Sequence, residues 1–297
     1  MNLSDLLQLG AVDSTLTGTV LILALAALGL AIGVISGIFG VSGGFLMTPM
    51  LAVLFGIDYT LAVGSGLCCF VGTSASGFVR HRRLGNVAAK TALYLATGSV
   101  IGVLLGDVLL DAMKIHFGDP YFTPVMHALN VVLLLTAAWL VQRRPAASHD
   151  GKHLLQRLPL GPSVDLQPNL RHFSASGLAA IGLFVGLLSG VLGTGGGVLI
   201  VPILIAVVGL TPHRAVGTSL GVILPTAIIG VAKKGLGDGK VSLVIAMSLL
   251  IGSTVGVQVG AFICQRLHAG RLRRYFVALV LISAAMVATE LVGELIR

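Results

Sequence analysis

Residues Ser36 to Leu51 read Ser-Gly-Ile-Phe-Gly-Val-Ser-Gly-Gly-Phe-Leu-Met-Thr-Pro-Met-Leu, and 153 positions later Ser189 to Leu204 read Ser-Gly-Val-Leu-Gly-Thr-Gly-Gly-Gly-Val-Leu-Ile-Val-Pro-Ile-Leu. Both copies lie inside apolar runs, and both set glycines and a proline where a continuous helix is disfavoured. The same shift aligns residues 36–79 on 189–232 without a gap, with 15 of 44 positions identical. Seven of the fifteen are glycine and one is proline. Shared greasiness would preserve the class of a side chain, but it has no reason to preserve backbone-special residues at fixed offsets. The sequence therefore reads as two homologous halves.

Runs of about twenty apolar residues cross a bilayer as helices. At least eight such candidates fill this chain, which is 56% hydrophobic, only 10% charged, and has a mean hydropathy of +1.00. An all-α polytopic membrane protein with 8 to 10 membrane segments follows, with no room for a soluble catalytic domain. The expected organisation is an N-terminal tail (1–16), a first membrane repeat (17–142), a polar linker (143–173) and a second membrane repeat (174–297). Apolar segments are expected at 17–38, 45–57, 60–79, 88–110 and 123–141, and again at 174–192, 198–210, 215–232, 241–267 and 272–296. The linker carries four prolines, at 145, 159, 162 and 168, and scattered charge, which argues against a packed domain there.

The net charge of +8 does not point to nucleic acid, because the Lys and Arg sit in short loops between apolar runs, as the positive-inside rule expects. Cys68, Cys69 and Cys264 all fall in apolar segments and read as small packing residues rather than a disulfide framework. The N-terminal Met-Asn-Leu-Ser-Asp-Leu has no basic region, so no cleaved signal peptide is expected.

Topology turns on the short runs 45–57 and 198–210. If they cross, the halves are inverted and Lys plus Arg divide fourteen to five between the two sides; if they re-enter, the halves are parallel and the best division is thirteen to six. The acidic N-terminal tail outside, and Arg266, Arg271, Arg273 and Arg274 inside, favour inverted halves.

Irregular backbone survives at membrane depth only where protein buries it or a cavity needs it. A helix restarting after such a break offers free N–H groups and the positive end of its dipole, which together attract anions. The two breaks give the candidate substrate site: Gly40, Ser42, Gly43 and Gly44 with Gly193, Thr194, Gly195, Gly196 and Gly197. A second set of hydroxyls repeats on the helices that follow, Ser65 with Thr218 and Thr73 with Thr226, while Ser219 stands where the first half has Gly66. Arg80 and Lys233 correspond in the repeat, and together with Arg214 they are candidates for drawing an anion to the mouths. They are equally suited to anchoring helix ends at the interface. Gly98, Gly102 and Gly106, echoed by Gly252, Gly256 and Gly260, are spaced for helix packing rather than binding.

All eleven Asp and Glu fall in loops or near segment ends, Asp107 and Glu290 being deepest, so no carboxylate suited to cation coupling is expected at depth. Gly193-Thr-Gly-Gly-Gly197 lacks the Gly-Lys-Ser/Thr of a phosphate loop. No catalytic constellation, metal-ligand set or cofactor motif appears, and an enzyme is not expected.

The paired breaks, Gly85-Asn86-Val87 with its echo Gly239-Lys240-Val241, and Gly98-Ser99-xx-Gly102 with its echo Gly252-Ser253-xx-Gly256 resemble the sulfite exporter TauE/SafE family of membrane permeases. The resemblance covers nearly the whole chain outside the linker and N-terminus. It implies a secondary transporter of sulfur-containing anions (sulfite, thiosulfate or organosulfonates) in the bacterial cytoplasmic membrane. A passive anion channel, or a membrane scaffold or sensor working through the basic linker, would share the sequence features. The sequence is compatible with a homo-oligomer and with either direction of transport.

Overall fold

The computed structural model describes residues 14–57, 59–117, 119–142, 163–164, 173–192, 197–236 and 242–296. Residues 1–13 of the expected N-terminal tail, most of the linker, and Gly193, Thr194, Gly195 and Gly196 lie outside the described residues, while residues 14–16 of that tail open the first helix. In the first half the helices are α1 (Ser14–Phe39), α2 (Gly44–Phe55), α3 (Tyr59–Arg83), α4 (Ala89–Phe117) and α5 (Asp119–Gln142). In the second they are α6 (Ala175–Leu192), α7 (Gly197–Ile203, continued as a π-helix through Val208), α8 (Pro212–Leu236), α9 (Leu243–Arg266) and α10 (Ala269–Ile296). The remaining described structure is a two-residue ladder pairing Ser163–Val164 with Phe173–Ser174.

Among the described residues, seven helices are long and apolar enough to cross a membrane: α1, α4, α5, α6, α8, α9 and α10. Their outer faces fit a lipid environment. On α9 Leu243, Met247, Ile251, Val255 and Val259 recur every fourth residue and are all exposed, a stripe that water would penalise and acyl chains would not. The chain is a multi-pass membrane protein.

Several helices extend beyond their expected ends. Arg80 to Arg83, expected in a loop, form the last turn of α3, where cations face the negative end of the helix dipole and Gly85 follows in the left-handed conformation at φ 73°. Helix α4 runs on to Phe117 instead of stopping at residue 110, and Pro120 and Pro212 sit in the first turns of α5 and α8, where a missing N–H costs nothing. The run 198–210 is also less regular than expected. Pro202 cannot donate to the preceding turn, and the helix widens to π geometry over Leu204–Val208. It closes with Leu210 N–H donating to the Leu204 carbonyl, as Ile57 N–H does to Leu51 at the end of α2.

The most intimate helix pairs join opposite halves. On α1, Gly29, Gly33 and Gly37 lie against Leu249, Ser253 and Val257 of α9; on α4, Gly98, Gly102 and Gly106 lie against Ala179, Leu183 and Leu187 of α6. A Cβ built on Gly33 would stand 2.3 Å from the Ser253 carbonyl oxygen, so the two backbones touch and no side chain fits between them. The partner stripes Gly252, Gly256, Gly260 and Gly182, Gly186, Gly190 make the reciprocal approaches. These glycines are packing surfaces, as their spacing predicts.

The same contacts set helix directions. Residue numbers rise together along α1 and α9, along α3 and α9 (Ser65 meets Ser242, Thr73 meets Ser253), and along α4 and α6. They also rise together from Ala92 with Gly221 to Asp107 with Lys233, so α4 and α8 are parallel. They run oppositely in α3 and α8, where Gly77 meets Leu220 and Leu67 meets Gly230. Helices α1, α3 and α9 therefore point one way and α4, α6 and α8 the other. Helix α1 also ends beside the end of α3, the Gly37 carbonyl lying 3.0 Å from His81 Nε2. Between Phe39 and Tyr59, consequently, the chain returns along the whole length of α3.

Candidate functional site

That return begins with four residues outside helical geometry. Gly40 and Gly43 have φ of 69° and 68°, a region an L side chain rarely enters, and Gly40 is further confined because a Cβ would stand 2.4 Å from Ser219 Oγ. The carbonyls that the turn frees from helical bonding are bound in place. Ser36 Oγ donates to the Val41 carbonyl at 2.6 Å, Ser219 Oγ to the Gly40 carbonyl at 2.6 Å, and Gly40 N–H to the Ser36 carbonyl at 2.7 Å. Val41 and Ser42 are buried, so this backbone lies inside the protein rather than against lipid.

Gly197, the first residue of α7, abuts this turn. A Cβ there would lie 2.6 Å from the backbone nitrogen of Ser42 and 3.2 Å from Val41 Cα. The start of α7 in one half thus meets the interhelical turn of the other. Beside the meeting point is a cavity of about 30 Å³ between α3, α4, α6 and α8, lined on its polar side by Ser42, Asp107, Ser189 and Thr226. That volume admits one or two waters.

The structure sorts the remaining candidate residues. Gly44 opens α2, and Thr226, hydrogen-bonded to the Ile223 carbonyl at 2.7 Å, stays with Ser42 at the cavity. Ser65 is occupied elsewhere, accepting from Ser242 N–H at 3.1 Å, and Thr218 accepts from Ala88 N–H at 3.0 Å, both at helix ends. Thr73 joins a buried network, donating to Ser253 Oγ at 2.8 Å with Cys69 Sγ alongside. It holds α3 to α9. Ser219 supports the turn through Gly40 rather than facing the cavity.

Among the cations, Lys233 Nζ lies 3.3 Å from Asp107 Oδ2. Arg80 Nε and Arg214 Nη1 are each buried with no hydrogen-bond partner among the described residues, as are Nδ1 of His81 and Nδ2 of Asn86 at the same end of the bundle. Asp107 corrects the expectation of no carboxylate at depth: near the end of the apolar run 88–110, it is buried on the cavity wall, where α4 packs against α6 and α8, and it is paired with Lys233. Sequence reasoning also missed Ser36 and Ser189. Their signal was available, since both are identical positions of the repeat. No group of three or more His, Cys, Asp or Glu that could hold a metal occurs among the described residues.

The sulfite exporter TauE/SafE family model matches residues 25–287. The chain belongs to that family. Among curated relatives, this TauE/SafE protein is 28% identical over 257 residues to probable membrane transporter protein YjnA of Bacillus subtilis, covering 86% of this chain and 95% of the relative. It is 27% identical over 236 residues to YdhB of the same organism, also named a probable membrane transporter protein, covering 77% and 85%. A similarly named protein of Methanocaldococcus jannaschii, MJ0441, is 27% identical over 264 residues, covering 84% and 88%. No solved structure matches. The family and these relatives indicate a membrane transporter.

Proposed function

We propose that this protein is a secondary transporter of sulfur-containing anions, of the sulfite, thiosulfate or organosulfonate class, in the cytoplasmic membrane, and that the anion is held where the two glycine-rich interruptions meet. The observation that carries this reading is the approach of Gly197 to Val41 and Ser42, which brings together two segments that are equivalent in the sequence repeat. The start of α2 brings the positive end of its dipole to this turn, where the Leu46 and Met47 N–H groups are taken by the Gly43 carbonyl, and Ser42 and Thr226 supply hydroxyls. Gly193, Thr194, Gly195 and Gly196 complete the second side in this proposal.

We read the halves as inverted repeats with ten crossings. The opposed directions of α1 and α6, α3 and α8, and α4 and α9 support this, as does the return of the chain between Phe39 and Tyr59. Transporters built this way place substrate between broken helices and rock one repeat against the other. Alternating access would widen and narrow the small cavity between α4 and α8 as the halves rock. Arg80, Arg214 and Lys233 serve in this scheme as cationic guides near the ends of the pathway.

Purified protein in liposomes tests the reading. Saturable uptake of labelled sulfite or a sulfonate, with counterflow, is expected. Cation flux with no flux of any sulfur oxyanion would sink it, and non-saturable anion flux without counterflow would replace the carrier with a channel.

A further inference from the structure

Among the described residues, Asp107 is the one acidic side chain on the cavity wall, a poor neighbour for a bound anion unless its charge is otherwise engaged. It is engaged by Lys233. The Asp107 side chain is 11% exposed and that of Lys233 44%, so the lysine reaches inward from the rim. The pair also joins the two halves, since Asp107 is on α4 of the first and Lys233 on α8 of the second. Any rocking that widens the cavity between α4 and α8 must stretch it.

The repeat shows that this contact exists at one end only. Arg80 is the counterpart of Lys233, but the counterpart of Asp107 is Ala261, which has no carboxylate to offer. Arg80 Nε is accordingly buried without a partner among the described residues. Among the described residues, one end of the pathway carries its own anion and the other does not.

We propose that Asp107 is a resident stand-in for the transported anion: it holds Lys233 across the mouth of the cavity, and an arriving sulfur oxyanion takes the lysine over and releases the mouth. This rests on the anion-transport reading. The exchange needs no covalent step. An oxyanion offers Lys233 the same oxygen acceptors as the carboxylate with at least the same charge, and water entering the opened mouth solvates the Asp107 left behind.

The test uses detergent-purified full-length protein with Ser189→Cys as reporter in a Cys68→Ser background; Cys69 and Cys264 are buried. The readout is the rate of labelling at position 189 by a charged thiol reagent, resolved by peptide mass. Asp107→Asn and Lys233→Gln should each raise it about fivefold, the equivalent of about 1 kcal/mol. The exchanged pair Asp107→Lys with Lys233→Asp should bring the rate back to within about twofold of the parent, and carries the decision if a single variant fails to fold. Sulfate or methanesulfonate, which do not consume the reagent, should speed labelling of the parent but not of Lys233→Gln.

Unchanged rates in the single variants, or an exchanged pair as fast as they are, overturn the proposal and leave the transport reading to its own flux assay. If the ion pair behaves as a latch but neither anion changes the parent's rate, the stand-in role is overturned. The transport reading falls with it only if wild-type liposomes also carry no sulfur oxyanion.

Discussion

Gly197→Ala is the smallest change that strikes the place where the two interruptions meet. The new methyl carbon would stand 2.6 Å from the Ser42 nitrogen, 2.9 Å from Ile223 Cδ1 and 3.2 Å from Val41 Cα. Ile223 can rotate away, but the Ser42 nitrogen belongs to a turn whose carbonyls are tied by Ser36 and Ser219. To reach the 3.4 Å at which ordinary contact begins, that turn and α7 must separate by about 0.8 Å. Forced expansion of a packed interior costs about 1–3 kcal/mol. A displacement of about 1 Å in a positioned site can cost about a hundredfold in rate. The variant should therefore fold, with a thermal midpoint lowered by a few degrees, and lose sulfite flux by ten- to hundredfold, on the order of 1.4–2.8 kcal/mol. Gly18→Ala, at a site with nothing within 4 Å, is the matched control and should transport normally. Wild-type flux and half-saturation in Gly197→Ala would refute the idea that the meeting point holds the substrate.

Gly182→Ala would place a Cβ 2.1 Å from the Leu95 carbonyl oxygen and should separate α6 from α4, lowering the thermal midpoint more than Gly18→Ala changes it; equal midpoints would remove the close approach as a source of stability. Ser219→Ala strips the Gly40 carbonyl of a buried donor, a loss of about 1–3 kcal/mol, and should reduce flux as well as stability. Arg214→Gln should raise the half-saturation concentration for anion at low ionic strength and matter less at high salt, because a guiding charge is screened; a salt-independent defect would mark Arg214 as structural. Deleting residues 146–168 should leave liposome flux intact, and loss of function without loss of anion binding would favour the scaffold reading instead.

Membrane class and the packing role of Gly98, Gly102 and Gly106 were legible because each leaves a periodic trace. The cross-half partnership was less visible, although Gly29, Gly33 and Gly37 recur as Gly182, Gly186 and Gly190. Their spacing says that something packs closely there, not which helix does. Helix ends were misread where charge was taken to end a helix. Arg80–Arg83 and the stretch after Leu110 stay helical, since a long side chain can reach the interface without unwinding its backbone. Asp107 was legible as one of the deepest acids, but not its burial beside Lys233, which depends on the helices that pack against α4. The hydroxyls were the least readable, because Thr218 and Thr226, eight residues apart on one helix, divide between a loop contact and the cavity according to which neighbour each meets.

The central claim is that an anion binds where the turn at Gly40–Gly43 meets Gly197. A structure determined with sulfite or a bound sulfonate tests it most directly. The account predicts density for the anion within hydrogen-bond reach of Ser42 and the start of α7, in a cavity wider than the present one. Density confined to another part of a transport-competent protein, with this meeting point closed, would contradict it.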